Sequence, residues 1–193
     1  MSRSLRLGVG ALLASALVVA ACGSDASSPR GGAASLPGPL PAGVAVAVEQ
    51  ADAVRAPAFR LTLIDGSQVD PADYWRDRPV VLSFFSSWCT LCAQQQAVLN
   101  GLASRYGDAV AVLGVAGVDT EEAVRAFLQE HDVPYAVGLD DPDGRTWNAY
   151  AVREPPVVAV IGLGGRLIRG WPGGVEAETL HAVLDGLMTL PAG

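Results

Sequence analysis

Lysine is absent from this chain of 193 residues: all 13 basic residues are arginine. Acidic residues number 20 and the formal net charge is −7. Phosphate contacts need a basic face, so these counts argue against a nucleic-acid role. The acidity itself reads as solvation. Histidine is scarce, at two, and cysteine occurs three times. A structural zinc site takes four ligands. Beyond Cys89 and Cys92 the candidates are Cys22, His131 and His181, which lie far apart without ligand spacing. No metal and no cofactor is therefore expected, and the two histidines read as surface or cap residues. No internal repeat is visible, which leaves one domain with appendages. Half the residues are hydrophobic, enough for a core.

The apolar run from Leu7 to Val19, behind Arg3 and Arg6, is too short and too weakly flanked for a membrane span. It reads as a targeting segment over 1–21. It ends in Val19-Ala20-Ala21-Cys22, which resembles a bacterial lipobox. That resemblance implies cleavage before Cys22, lipidation of Cys22, and attachment to the outer face of the cytoplasmic membrane through the lipid alone. Export also fits an oxidising compartment. Residues 22–54 are rich in Gly, Ala, Ser and Pro, a composition that reads as a flexible spacer. The folded domain is expected over 55–193.

Within it, Phe59-Arg60-Leu61-Thr62-Leu63 alternates and meets an Asp65-Gly66 turn before Gln68-Val69, which predicts a β-hairpin. Val80–Phe85 is a continuous apolar run of the kind a strand buried on both faces shows. A helix is predicted from about Cys89 to Tyr106, then a strand over Ala109–Val115. Asp119-Thr120-Glu121-Glu122 reads as a capping box opening a helix through His131. A short connecting segment over Pro134–Gly138, a short helix over Thr146–Tyr150 and a hairpin built from Val157–Ile161 and Leu167–Trp171 follow. An amphipathic helix over Glu176–Leu187 closes the chain. The order is that of an α/β fold.

Chemistry concentrates at Ser86-Ser87-Trp88-Cys89-Thr90-Leu91-Cys92. A CxxC between a buried strand and a helix start is a redox constellation. The helix N-terminus offers unpaired N–H groups and a partial positive charge, both of which favour a thiolate at Cys89. The second sulfur, one turn on, can close a disulfide.

With Ala56-Pro57-Ala58-Phe59 at the domain entry, Phe84–Cys92 at the site and Tyr150-Ala151-Val152-Arg153-Glu154-Pro155-Pro156 before a strand, the region 55–187 resembles the thioredoxin-fold TlpA/ResA/DsbE-like group. The resemblance implies a central mixed sheet flanked by helices, with the N-terminal hairpin as an extension. It implies an extracytoplasmic thiol–disulfide oxidoreductase acting on exported protein thiols and disulfides, apo-cytochrome c among them, and exchanging with a membrane thiol donor or acceptor. Cys89 becomes the attacking thiol and Cys92, expected to be the more buried, the resolving one. Trp88 covers the site. Pro156 is the cis-proline facing the CxxC, and Pro155 before it shapes the substrate groove.

Several positions depart from the group. Ser83 stands where an Asp or Asn is common, Gln95 where a Glu is common, Ala97 and Leu91 where Pro is common. Both usual proton-handling carboxylates are thus missing. Their loss removes a charge that would oppose the Cys89 thiolate, while the missing lysine works the other way. A peroxidase of the peroxiredoxin type would show Pro and Thr where Leu82 and Ser86 stand. A copper chaperone on the same fold would show three residues between its cysteines and a later His ligand, and neither is present.

Overall fold

The computed structural model describes residues 30–48 and 54–190. The targeting segment and Cys22 lie outside the described residues.

The apolar runs become interior strands. In chain order the elements are β1 (Ala45–Val46), β2 (Leu61–Leu63), β3 (Gln68–Val69), β4 (Val80–Phe85), α1 (Thr90–Tyr106), β5 (Ala111–Ala116), α2 (Glu121–Glu130), β6 (Ala136–Leu139), α3 (Arg145–Ala149), β7 (Val157–Gly162), β8 (Arg166–Pro172), α4 (Ala177–Leu187) and β9 (Met188–Thr189). Seven strands form one mixed sheet in the order β3-β2-β6-β5-β4-β7-β8. β4, β5 and β6 run parallel, while β7 and β8 return antiparallel on one side and the β2–β3 hairpin caps the other.

All six residues of β4 are buried, and so are those of β5 and β7. Because side chains alternate along a strand, β4 feeds two cores. Val81 and Phe85 meet Leu99 and Leu102 of α1, Phe127 of α2 and Leu180 and Leu184 of α4. Val80, Leu82 and Phe84 face the other way, toward Trp75 and Trp147. The buried stripe of α1 is Cys92, Gln95, Gln96, Leu99, Leu102 and Tyr106. The segment expected only as a connection over Pro134–Gly138 instead contributes β6.

Residues 30–48 correct the flexible-spacer reading for that stretch. Ala33 N–H donates to Asp65 Oδ2 at 2.7 Å, and Gly38 N–H donates to Asp108 Oδ1 at 2.8 Å. Val137 N–H, on β6, donates to Gly31 O at 2.7 Å. The buried Arg78 guanidinium donates to both Gly38 O and Asp108 O. β1 pairs antiparallel with β9. The glycines here serve close approach: a Cβ on Gly32 would lie 2.3 Å from Asp65 Oδ2. The stretch is a strap bound through its backbone, which its composition does not reveal.

Candidate active site

β4 ends at Phe85, and four residues later Cys89 caps α1. Cys89 has extended backbone angles (φ −89°, ψ 110°), and its sulfur accepts the Cys92 N–H at 3.1 Å. Cys89 and Cys92 are disulfide-bonded, with Cα atoms 5.2 Å apart. Cys92 is 2 % exposed and Cys89 8 %, so Cys89 is the more open of the two but more covered than its place at a helix start suggests.

The loop carrying the disulfide is held by the segment after β5. Ser86 Oγ donates to Gly117 O, and Trp88 Nε1–H donates to Val118 O at 3.0 Å. Ser87 offers both its N–H and its hydroxyl to the Asp119 carboxylate, at 2.5 and 2.9 Å. Asp119, which the sequence shows only as part of a capping box, therefore holds the disulfide loop in place. Thr120, not Asp119, caps α2, its Oγ1 accepting Ala123 N–H at 3.2 Å. Val118, immediately before Asp119, adopts φ 53°, a left-handed conformation costly for a β-branched residue. Trp88 is 63 % exposed, so most of its indole faces solvent beside the disulfide loop.

The Pro155–Pro156 peptide bond is cis. Pro156 O accepts Gly173 N–H at 2.8 Å, which joins this turn to the end of β8. Gln95, one turn beyond Cys92, completes the connection. Its Oε1 accepts Val175 N–H at 2.7 Å and its Nε2 donates to Val175 O at 3.1 Å. The fit is close: a Cβ on Gly174 would lie 2.4 Å from Gln95 Oε1 and 3.5 Å from Pro156 Cγ. Cys89, Cys92, Pro155 and Pro156 are thereby brought to one end of the sheet, with Trp88 at its rim.

Beneath them lies a buried polar chain without an acid. Tyr135 O–H donates to Gln96 Oε1 at 2.9 Å, Gln96 Nε2 donates to Asn100 Oδ1 at 2.8 Å, and Asn100 Nδ2 donates to His131 O at 2.8 Å. Burial pushes the Tyr135 phenol well above its ordinary range, and its hydrogen bonds to Gln96 and Ser83 only partly oppose this. Ser83 thus serves as a neutral partner of Tyr135. His131 enters only through its backbone here, and His181 packs on Tyr106 at the far end of α1. Among the described residues no cluster of His, Cys, Asp and Glu could hold a metal ion, and no helix is long and apolar enough to cross a membrane.

Residues 53–170 match the AhpC/TSA family. The chain is 26% identical over 130 residues to the thiol-disulfide oxidoreductase ResA of Bacillus thuringiensis, covering 67% of this chain and 74% of that protein. It is 33% identical over 112 residues to the thiol:disulfide interchange protein DsbE of Allochromatium vinosum, covering 56% and 61%. Among solved structures it is similar to the pneumococcal exposed lipoprotein thioredoxin of Streptococcus pneumoniae, at TM-score 0.60 and 28% identity, over 68% of this chain and all of that one. The fold is thioredoxin-like.

Proposed function

Because the chain belongs to the AhpC/TSA family and resembles ResA- and DsbE-type proteins within it, we propose that it is an extracytoplasmic thiol–disulfide oxidoreductase. It exchanges the Cys89–Cys92 couple with cysteines of exported proteins, in cytochrome c maturation or in general disulfide handling, and with a thiol donor or acceptor in the membrane. Cys22 carries the lipid that attaches it to the outer face of the cytoplasmic membrane. The observation that carries this reading is the Cys89–Cys92 disulfide on the first turn of α1.

In the reducing direction the Cys89 thiolate attacks one sulfur of a partner disulfide. The Cys89–partner bond forms, the partner's S–S bond breaks, and its other sulfur leaves as a thiolate that takes a proton from water. Cys92 then loses its proton and attacks Cys89 Sγ. The internal disulfide forms and the partner's remaining sulfur leaves, so two electrons have moved to the partner. The oxidising direction reverses each step. The α1 N-terminus and the Cys92 N–H stabilise the Cys89 thiolate. Gln95 and Ser83 can neither give nor take the Cys92 proton, which goes to solvent or to the departing thiolate.

Cys92→Ser removes the resolving thiol and leaves Cys89 to accumulate mixed disulfides with its partners, visible as adducts on non-reducing gels. If Cys89→Ser accumulates them and Cys92→Ser does not, the two roles are reversed. Rapid peroxide consumption by the reduced chain would instead support the peroxidase reading.

A further inference from the structure

An extended partner segment passing a sheet edge pairs by offering and receiving backbone hydrogen bonds, and side-chain pockets add selectivity. At the turn beside the disulfide this chain has two successive residues without an N–H, Pro155 and Pro156. The Pro156 carbonyl is engaged by Gly173, and Val157 beyond it pairs with Phe84 on β4 and with Pro172 on β8. Strand-like pairing at residue 155 is left with the Pro155 carbonyl as an acceptor and with no donor.

The same turn borders a cavity of about 510 Å³ walled by Phe84, Leu91, Tyr150, Pro155, Val157 and Leu167. Leu91, which lies between the two cysteines and is 54 % exposed, also lines it, so the loop that carries the disulfide forms part of the cavity's wall. Arg153 and Glu154 also line it, one charge of each sign, which selects for neither. The six large exposed hydrophobics among the described residues are Trp88, Leu91 and Val118 around the disulfide, and Val48, Val54 and Leu190 next to undescribed residues. The apolar exposure within the folded domain thus surrounds the reacting sulfurs, and the cavity continues that face.

We propose that this chain selects partners by a bulky apolar side chain next to the partner's cysteine, seated in the cavity, in place of backbone pairing at residue 155. The occupant is a cysteine-bearing segment of an exported protein, because Leu91 ties the cavity's wall to the loop between the two reacting cysteines. The inference rests on the thiol–disulfide reading above. A cavity of this volume has room for a large apolar side chain and lies within the range of pockets that bind small ligands.

The test uses the reduced full chain and short peptides with one cysteine blocked as the glutathione mixed disulfide. The cysteine is flanked on one side or the other by phenylalanine, leucine, alanine or aspartate, and glutathione disulfide alone is the probe without a flank. Phenylalanine or leucine on one side is expected to raise kcat/KM over alanine about 10- to 100-fold, through KM, as burial of such a side chain implies. Leu167→Arg is expected to bring the ratio close to one. Gly170→Leu is expected to do the same by filling the cavity from β8, where a new Cβ meets only Val158 O at 3.9 Å. Equal rates for all peptides overturn the proposal and leave thiol–disulfide exchange standing. A preference that survives both variants overturns it too. A chain that forms a dimer dispersed by Leu167→Arg assigns the cavity to a second copy and overturns it. No exchange with any probe, glutathione disulfide included, removes the thiol–disulfide reading and the proposal with it.

Discussion

Gln95→Glu exchanges an amide for the acid common in this group and tests whether residue 95 is here a clamp. Gln95 is 7 % exposed and spends both ends of its amide on Val175. A carboxylate keeps the bond from Val175 N–H but cannot donate, so it turns an oxygen toward Val175 O where the amide donated at 3.1 Å. Leaving that acceptor unsatisfied costs about 1–3 kcal/mol, and confining the charge adds to it. We expect about 2–4 kcal/mol of destabilisation at pH 7. Burial and the facing carbonyl raise the introduced carboxyl's pKa above its unfolded value of about 4.3. A group raised on folding contributes its stability fully below the unfolded pKa and loses it as pH rises through the folded one. The gap between Q95E and the parent chain is therefore smallest near pH 4, where the protonated acid donates to Val175 O, and widens toward pH 7. Urea unfolding of both chains at the two pH values measures it. An equal gap at both, or none at pH 7, refutes the clamp.

Asp119→Ala frees the Ser87 N–H and hydroxyl and is expected to cost about 1–3 kcal/mol, read from the urea midpoint, and to slow exchange by loosening the disulfide loop. Tyr135→Phe leaves Gln96 Oε1 short of a donor, for about 1–2 kcal/mol at neutral pH. Because the Tyr135 pKa is raised by burial, its contribution is fully present below about pH 10 and is lost above it. The alkaline limb of the stability curve should accordingly be shallower in this variant. Mass spectrometry of the native protein should find an acylated N-terminal Cys22; a free thiol there removes the anchor.

The parts legible in the sequence are those in which side-chain pattern decides structure. Val80–Phe85 is apolar throughout because β4 has a core on each side, and the Asp65-Gly66 turn announces the β2–β3 hairpin. The strap over 30–48 was not legible, because its partners are backbone groups and glycines at close approach. Asp119 looked like a cap by local spacing, yet Ser87, distant in sequence, takes its carboxylate while Thr120 caps α2. Gln95 showed in the sequence only as a missing acid. What replaces the acid, a two-point hold on Val175, needs a contact eighty positions away.

The strap also sets a geometry for the tether. α2 starts beside Asp119 at the disulfide end of the sheet and runs back to the other end, about 15 Å away for its ten residues. There Asp132 pairs with Arg30 at 3.1 Å, at the beginning of the strap. The chain thus joins the domain at the pole opposite the disulfide. Between Cys22 and Arg30 stand only residues 23–29, so the two cannot lie more than about 29 Å apart even with the chain fully stretched. With Cys22 lipidated, the leash is shorter than the proline-rich composition up to residue 54 advertises. The sulfurs lie at the pole away from that attachment. Inserting residues into 23–29 would widen the catch radius and leave the chemistry at Cys89 untouched.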